Sequence, residues 1–170
     1  ILSDTLAFRS PTCTPIDVNA GKALADICGE DIESYSEKMF DAGADLTGRT
    51  AEEVFHSDYK VFSRGNAKFG VGQGSFMTEN SRKAAEALVG PFLKTAAEAE
   101  ELPMIFYMFT DVKSQVTEML YYGAGAEEVL ERAFNVTPDG GIAVLPGVVS
   151  RKKQVVPSLM SALQFISDED

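Results

Sequence analysis

Three adjacent cations, Arg151, Lys152 and Lys153, stand in a chain of 170 residues whose formal net charge is −11. They lie in the run Ser150–Gln154, and segments that contain proline flank this run on both sides. We therefore predict a fixed, exposed loop whose charges add little to stability. Arg presents a planar fork to phosphate oxygens and Lys presents a point charge, so the loop could bind a small, highly charged anion. The alternative for three basic residues is a solvated run of charge.

Two further residues could take part in the same chemistry. Lys60 lies in the predicted strand Tyr59–Phe62, where the alternatives are a solvated face or protection of a sheet edge. Asp4 lies near the end of a strand predicted within Ile1–Phe8. Carboxylates at strand ends are common metal ligands because the sheet aims them at a crevice. An Asp that caps a turn beside Thr5 is an equally good interpretation of this pattern.

The other residues of catalytic type give weaker signals. His56 is the only histidine, and a lone histidine at the end of a short helix is more often structural. Cys13 and Cys28 are expected to be inert thiols, because the chain carries no secretory mark. Gly70–Gly74 lacks the spacing of a phosphate-binding loop. A metal site built from this chain alone would need carboxylates, and no tight acidic cluster stands out.

The composition limits the classes of function. The acidic balance argues against general binding of nucleic acids, which requires many Lys and Arg residues on phosphates. No apolar run approaches the roughly 20 residues needed to span a bilayer, and no secretory signal is visible. We therefore expect a cytoplasmic protein with no membrane partner. The chain opens at Ile1 without an initiator Met, which we interpret as an internal start within a longer protein.

Periodicity and turn residues predict an α/β fold, with a mixed sheet of about five strands flanked by helices. The strands of this sheet are predicted at Tyr59–Phe62, Lys68–Gly74, Met104–Thr110, Val116–Tyr122 and Ile142–Leu145, with a hairpin turn at Arg64–Asn66. Helices are predicted over 17–28, 31–42, 79–101, 125–134 and from 157 onwards. Asp17 and Asp31 are the expected caps of the first two, and Thr50 begins a capping box. Gly90–Pro91 must kink or split the 79–101 helix.

The stretch Gly43–Arg49 has the composition of a linker. We therefore predict a boundary there, with one unit over residues 1–45 and a second unit over residues 46–170.

Three segments together resemble the family II, manganese-dependent inorganic pyrophosphatases of the DHH phosphoesterase superfamily. Leu145–Pro157 carries the SRKKQ signature with its PGVVS and QVVP flanks. Ile1–Pro15 has the SDT-x-x-F-x-SPT-x-TP pattern found at the end of the DHH domain. Asp58–Phe62 is a DYK-x-F strand that precedes the G-x-G-Q strand Gly70–Gln73. By this resemblance, residues 1–45 are the last strand and helices of a DHH metal-binding domain, and residues 46–170 are the DHH-associated C-terminal domain.

The resemblance implies roles for four residues. Lys60, Arg151 and Lys152 would bind substrate oxygens, and Asp4 would be a ligand of the manganese site. Lys153 and Gln154, the last two residues of the SRKKQ run, are assigned no direct contact with the substrate. The implied reaction is hydrolysis of pyrophosphate to two phosphates by a two-metal mechanism, with Mn²⁺ as the metal and Co²⁺ or Mg²⁺ as alternatives. The C-terminal domain would close over the site and exclude water.

One departure from the family pattern limits this interpretation. The DHH triplet and the other upstream histidine and aspartate ligands do not occur in these residues, so no catalytic set is complete. We therefore expect this chain to be inactive alone and to require the upstream DHH domain as a partner, with a homodimer left open. An exopolyphosphatase-type phosphoesterase and a non-catalytic anion-binding or regulatory module are the alternative functions.

Overall fold

The computed structural model describes residues 1–65 and 67–169, with side chains as far as residue 164. The helices are α1 (Pro15–Cys28), α2 (Ile32–Gly43), α3 (Ala51–Phe55), α4 (Glu79–Val89), α5 (Leu93–Ala99), α6 (Ala126–Phe134) and α7 (Val156–Glu169). The strands are β1 (Tyr59–Arg64), β2 (Ala67–Phe76), β3 (Met104–Asp111), β4 (Val116–Tyr122) and β5 (Ile142–Pro146). Within this described part, no helix combines the length and apolarity needed to cross a membrane.

The five strands form one mixed sheet in the order β1-β2-β3-β4-β5. Strands β2 and β3 are parallel, and the other neighbouring pairs are antiparallel. The α/β class, the five strands and the hairpin between β1 and β2 are as predicted, although Asn66 of the hairpin turn lies outside the described residues. The predicted break at Gly90–Pro91 is also present, because a 3-10 turn at Gly90–Phe92 separates α4 from α5.

Both faces of the sheet are covered, which is why β3 reads as an unbroken apolar run. Successive side chains of a strand point to opposite faces. Phe106 and Met108 therefore pack on the side of α6 and α7, whereas Ile105, Tyr107 and Phe109 pack on the side of α3, α4 and α5. The result is a three-layer α/β/α arrangement, and the name sheet domain is used below for residues 46–164.

The first 45 residues pack against one end of the sheet domain. Ala7 and Phe40 join Met77 and Val112 in a small separate apolar cluster. The predicted strand within Ile1–Phe8 is wrong, because this segment consists of turns whose backbone amides bond to nearby carbonyls. Three successive residues, from Leu6 to Phe8, have positive φ. A strand needs a neighbouring strand to pair with, and the described residues offer none here.

The helix ends follow local chemistry more closely. Thr14, and not Asp17, is the N-cap of α1, and Asp17 closes the capping box from the third helical position. Asp31 caps α2 and Thr50 opens the capping box of α3, both as predicted. Gly29 ends α1 with φ of 67°, in the left-handed region that favours glycine.

Candidate functional site

The basic run is not a loop. Arg151–Val155 forms a turn of π-helix that continues directly into α7. The Val155 amide donates to the carbonyl oxygen of Ser150, five residues earlier, at 3.1 Å. The Ser150 hydroxyl caps this turn by accepting from the amide of Lys153 at 3.2 Å. Single π-turns are rare and often occur at functional sites.

The segment that leads into the π-turn is fixed by side chains on both sides. The Gln154 side-chain oxygen accepts from the amides of Val149 and Ser150 at 2.9 and 3.0 Å. The Thr117 hydroxyl donates to the carbonyl oxygen of Val148 at 2.6 Å. These bonds explain the glutamine of the SRKKQ run as a structural residue.

Arg151 is buried, which corrects the expectation of an exposed cation. Only 9% of its side chain is exposed. Its Nη1 donates to the carbonyl oxygens of Asp58 at 2.8 Å and Val71 at 3.2 Å. Its Nη2 donates to Oδ1 of Asp58 at 2.5 Å. The guanidinium group is therefore held in one orientation across the start of β1 and the middle of β2.

Asp58 and Gln73 belong to this network, and neither was predicted from the sequence to have a role at the site. Nε2 of Gln73 donates to Oδ2 of Asp58 at 2.6 Å, so both carboxylate oxygens have partners. Both residues lay in the strand motifs already noted, Asp58 two positions before Lys60 and Gln73 at the end of the G-x-G-Q run. The sequence signal that could have identified Asp58 is its position two residues before Lys60, because an acidic side chain is unexpected beside a proposed anion ligand.

These residues line a cleft of about 380 Å³ between the N-terminal turns and the π-turn. The cleft contains Asp4, Arg151 and Lys152, so three of the four predicted site residues come together. Its further lining residues are Ser3, Leu6, Ser10, Thr12, Phe40, Asp58, Gln73, Ser75, Val149 and Ser150.

Lys60, the fourth predicted residue, lies outside the lining of this cleft. It is exposed on the edge strand β1. Its cross-strand partner is Val71, whose carbonyl oxygen accepts from Arg151. Lys60 is therefore a near neighbour of the site, two residues after Asp58, which accepts from Arg151.

The metal role predicted for Asp4 can be tested against the residues around it. Asp4 is exposed at the cleft wall, with its carboxylate open to solvent. Across residues 1–65 and 67–169, no group of three or more His, Cys, Asp or Glu side chains comes close enough to hold a metal ion. Asp4 therefore belongs to no such group among the described residues.

The surroundings of the site favour anions on one wall. The π-turn and α7 form a continuous helical segment whose N-terminus, at Ser150, opens on the cleft, and the helix dipole places partial positive charge there.

Two titratable side chains lie near the site. On the α4 side of the sheet, burial raises the pKa of Tyr107 to about 12, and the Asp58 carboxylate adds to that rise. Nδ1 of His56 donates to the main-chain oxygen of Glu52 at 2.9 Å, and its Nε2 lies 3.1 Å from Oε1 of Glu100. His56 does not line the cleft.

Comparison with known proteins gives a consistent picture. Residues 37–162 match the DHHA2 domain. The chain is 41% identical over 166 residues to a Bacillus cytotoxicus protein and 40% identical over 162 residues to an Exiguobacterium protein, both named as manganese-dependent inorganic pyrophosphatases. These alignments cover 98% and 95% of this chain.

A solved structure also matches. It is described as a family II inorganic pyrophosphatase of Methanococcus jannaschii, with a TM-score of 0.80, 33% sequence identity and 96% coverage of this chain. The chain spans only about half of these proteins, 53% and 52% of the two relatives and 53% of the solved chain. The matched half is the C-terminal one.

Proposed function

Because this chain belongs to the DHHA2 domain family, we propose that it is the C-terminal, substrate-binding part of a manganese-dependent inorganic pyrophosphatase. The observation that carries the proposal is the buried, oriented guanidinium of Arg151 at the wall of a polar cleft. Pyrophosphate is the substrate, and hydrolysis to two phosphates is the reaction. The activity belongs to the longer parent protein.

Arg151 retains hydrogen-bonding capacity for a substrate. Two hydrogens of Nη1 and one of Nη2 have acceptors. Within the described part of the chain, the Nε hydrogen and the second Nη2 hydrogen have none. These two hydrogens of a guanidinium group can point in the same direction, and they match two oxygens of one phosphoryl group. A buried cation with a free donor edge is well suited to a highly charged anion.

Lys152 adds a second cation from the adjacent position. It is exposed, it lines the cleft, and its side chain has no ion pair among the described residues. Lys60 is proposed as a third substrate ligand, reaching the substrate from the neighbouring edge of the sheet. Together the three charges would offset the repulsion within the substrate and the charge that develops on the leaving phosphate.

Asp4, which also lines the cleft, is proposed as a manganese ligand. The remaining ligands must come from residues outside the described chain, and we assign them to the preceding half of the parent, a DHH domain. Residues 1–45 are then the end of that domain and residues 46–170 the DHH-associated C-terminal domain. A cytoplasmic location and a homodimer stay predictions.

The proposal is tested most cleanly at Lys152, because this side chain is exposed and its removal does not disturb the buried network. In the full-length parent, Lys152→Ala should lower kcat/KM for pyrophosphate by about 10- to 100-fold, since a hydrogen bond to a charged group contributes roughly 1.5–3 kcal/mol. The measurement is the rate of phosphate release in the presence of Mn²⁺.

Lys153→Ala is the matched control. It removes the same charge from the next position, yet Lys153 is exposed and does not line the cleft. Equal kinetic losses in the two variants would indicate a general effect of surface charge, and an unchanged kcat/KM in Lys152→Ala would refute the proposed site.

A further inference from the structure

We propose that Asp58 is a positioning residue that sets the orientation of Arg151 for the substrate, and that Gln73 in turn sets the orientation of Asp58. This inference rests on the proposed function of Arg151 as a substrate ligand. It assigns to Asp58 no contact with the substrate.

The contacts of Arg151 come mainly from this one residue. Asp58 accepts from Nη1 through its main-chain oxygen and from Nη2 through its carboxylate, so it binds both terminal nitrogens of the guanidinium group. The main-chain oxygen of Val71 is the third acceptor. A free arginine side chain samples many rotamers, and ordering it costs conformational entropy. Asp58 removes that freedom during folding, so the free donor edge is already aimed before an anion arrives.

Asp58 is itself held from the adjacent strand. Gln73 donates to the carboxylate oxygen that Arg151 does not use. Gln73 lies on β2 two positions after Val71, so the same strand fixes the guanidinium directly and through Asp58. A hydrogen-bonded network anchored on a central strand is more rigid than a surface ion pair.

The charge of Asp58 acts in the opposite direction to its geometry. Its side chain is 43% exposed and lines the cleft, so its negative charge repels a bound anion. Asp58 therefore weakens the attraction between Arg151 and the anion, while its hydrogen bonds fix the orientation of the guanidinium group. The neutral Asp58→Asn variant separates these effects, because it can keep an oxygen for Arg151 while Gln73 rotates its amide to accept from the new N–H.

The test compares KM and kcat for pyrophosphate in variants of the full-length parent with Mn²⁺. We expect Asp58→Ala to raise KM about 10-fold, because Nη2 of Arg151 then loses its acceptor and only the two main-chain bonds of Nη1 hold the guanidinium group, which leaves it free to rotate about that nitrogen. Asp58→Asn should restore KM to within about threefold of the unchanged protein. The control is Glu52→Ala, which removes the same charge from an exposed position outside the cleft and should leave KM unchanged. Loss of the Asn rescue, or an equal effect of Glu52→Ala, would overturn the inference.

A double variant distinguishes failure of this inference from failure of the proposed function. If Arg151→Ala alone leaves KM unchanged, the substrate role of Arg151 is refuted. If Arg151→Ala raises KM and Asp58→Ala still raises it further in that background, Asp58 does not act through Arg151 and only the positioning role falls. The expected result is no further rise.

Gln73→Ala keeps the inference testable should Asp58→Ala fail to fold. It removes one hydrogen bond to Asp58 and leaves Arg151 and its ion pair in place. We expect a KM rise of about threefold that is absent from the Arg151→Ala background. An unchanged KM in Gln73→Ala, with thermal unfolding showing a folded protein, would contradict the proposed order of contacts.

Discussion

Residues 1–45 and the sheet domain differ in how far they bury their large apolar side chains. In the sheet domain, β3 is enclosed on both faces, and Ile105, Phe106 and Phe109 have no exposed surface. In α1, Ile16 is 78% exposed and Ile27 is 81% exposed. Isoleucine is therefore buried at Ile105 of the sheet domain and largely in solvent at both isoleucines of α1.

The difference shows where the stability of the described chain resides. The sheet domain encloses two large apolar cores, whereas Ile1, Leu2 and residues of α1 and α2 line an open apolar groove of about 340 Å³. Apolar burial contributes roughly 25 cal/mol per Å², so most of the folding free energy must come from the sheet domain. The two regions are joined by a small apolar cluster and by an ion pair between Glu37 and Lys113 at 2.5 Å.

The largest expected contrast comes from truncating one apolar side chain in each region. Phe106→Ala should lower the free energy of unfolding by about 3–5 kcal/mol, because it leaves a cavity in the core on the α7 side. Ile27→Ala should change it by less than about 0.5 kcal/mol, because the side chain is in solvent and alanine favours helix. Denaturant unfolding of the two variants measures both effects, and comparable losses would mean that α1 is part of the same core.

Two glycines with positive φ give a second, smaller contrast. A Cβ at Gly123, where φ is 120°, would lie 2.0 Å from the main-chain oxygen of Pro103. At Gly29, where φ is 67°, it would meet nothing within 4 Å. Gly123→Ala should therefore cost about 2–4 kcal/mol, from backbone strain plus overpacking, and Gly29→Ala about 1–2 kcal/mol, from the left-handed conformation alone. Equal shifts in the denaturation midpoint would show that the contact with Pro103 relaxes at little cost.

Alkaline pH should lower the free energy of unfolding, because Tyr107 titrates at a higher pH in the folded state than in the unfolded state. Burial raises the pKa of Tyr107 in the folded state to about 12, from the ordinary value of 10.0. The neutral phenol is thus favoured by folding, so its contribution is fully present below pH 10 and is lost as the pH rises towards 12. At pH 11 the expected loss is about 1.4 kcal/mol.

Tyr107→Phe isolates this effect, since phenylalanine fills the same space and does not titrate. The decrease in unfolding free energy between pH 9 and pH 11 should be smaller in the variant. It should not vanish, because burial and the bond to Glu100 also raise the pKa of Tyr59. An identical decrease in both proteins would contradict the assignment to Tyr107.

Much of the sheet domain could be predicted from local patterns. Met104–Asp111 is a largely apolar run of strand length. A proline inside a helix removes a backbone donor, so Gly90–Pro91 was expected to break the helix at that point. The capping box at Thr50 needs only residues within one turn. These features formed as predicted because the interactions that decide them join residues close in sequence.

The predictions that proved wrong concern segments whose structure depends on residues distant in sequence. Ile1–Phe8 is as apolar as a strand, yet none of the strands in the described residues pairs with it, and it folds into turns. Arg151 looked like an exposed cation, but an acceptor 93 residues away draws it into the interior. The π-turn depends on Gln154 and Ser150, whose types were visible and whose bonds were not.

The sequence by itself determined the residue types of the site: the cations of the SRKKQ run, Lys60 on a strand and Asp4 in the first segment. It determined the α/β class as well, because hydrophobic period and turn chemistry are local. Only the tertiary structure decided that Asp4, Arg151 and Lys152 share one cleft and that Lys60 lies beside it. It also paired Arg151 with Asp58, because the packing of α7 against the sheet brings together residues that no sequence spacing relates.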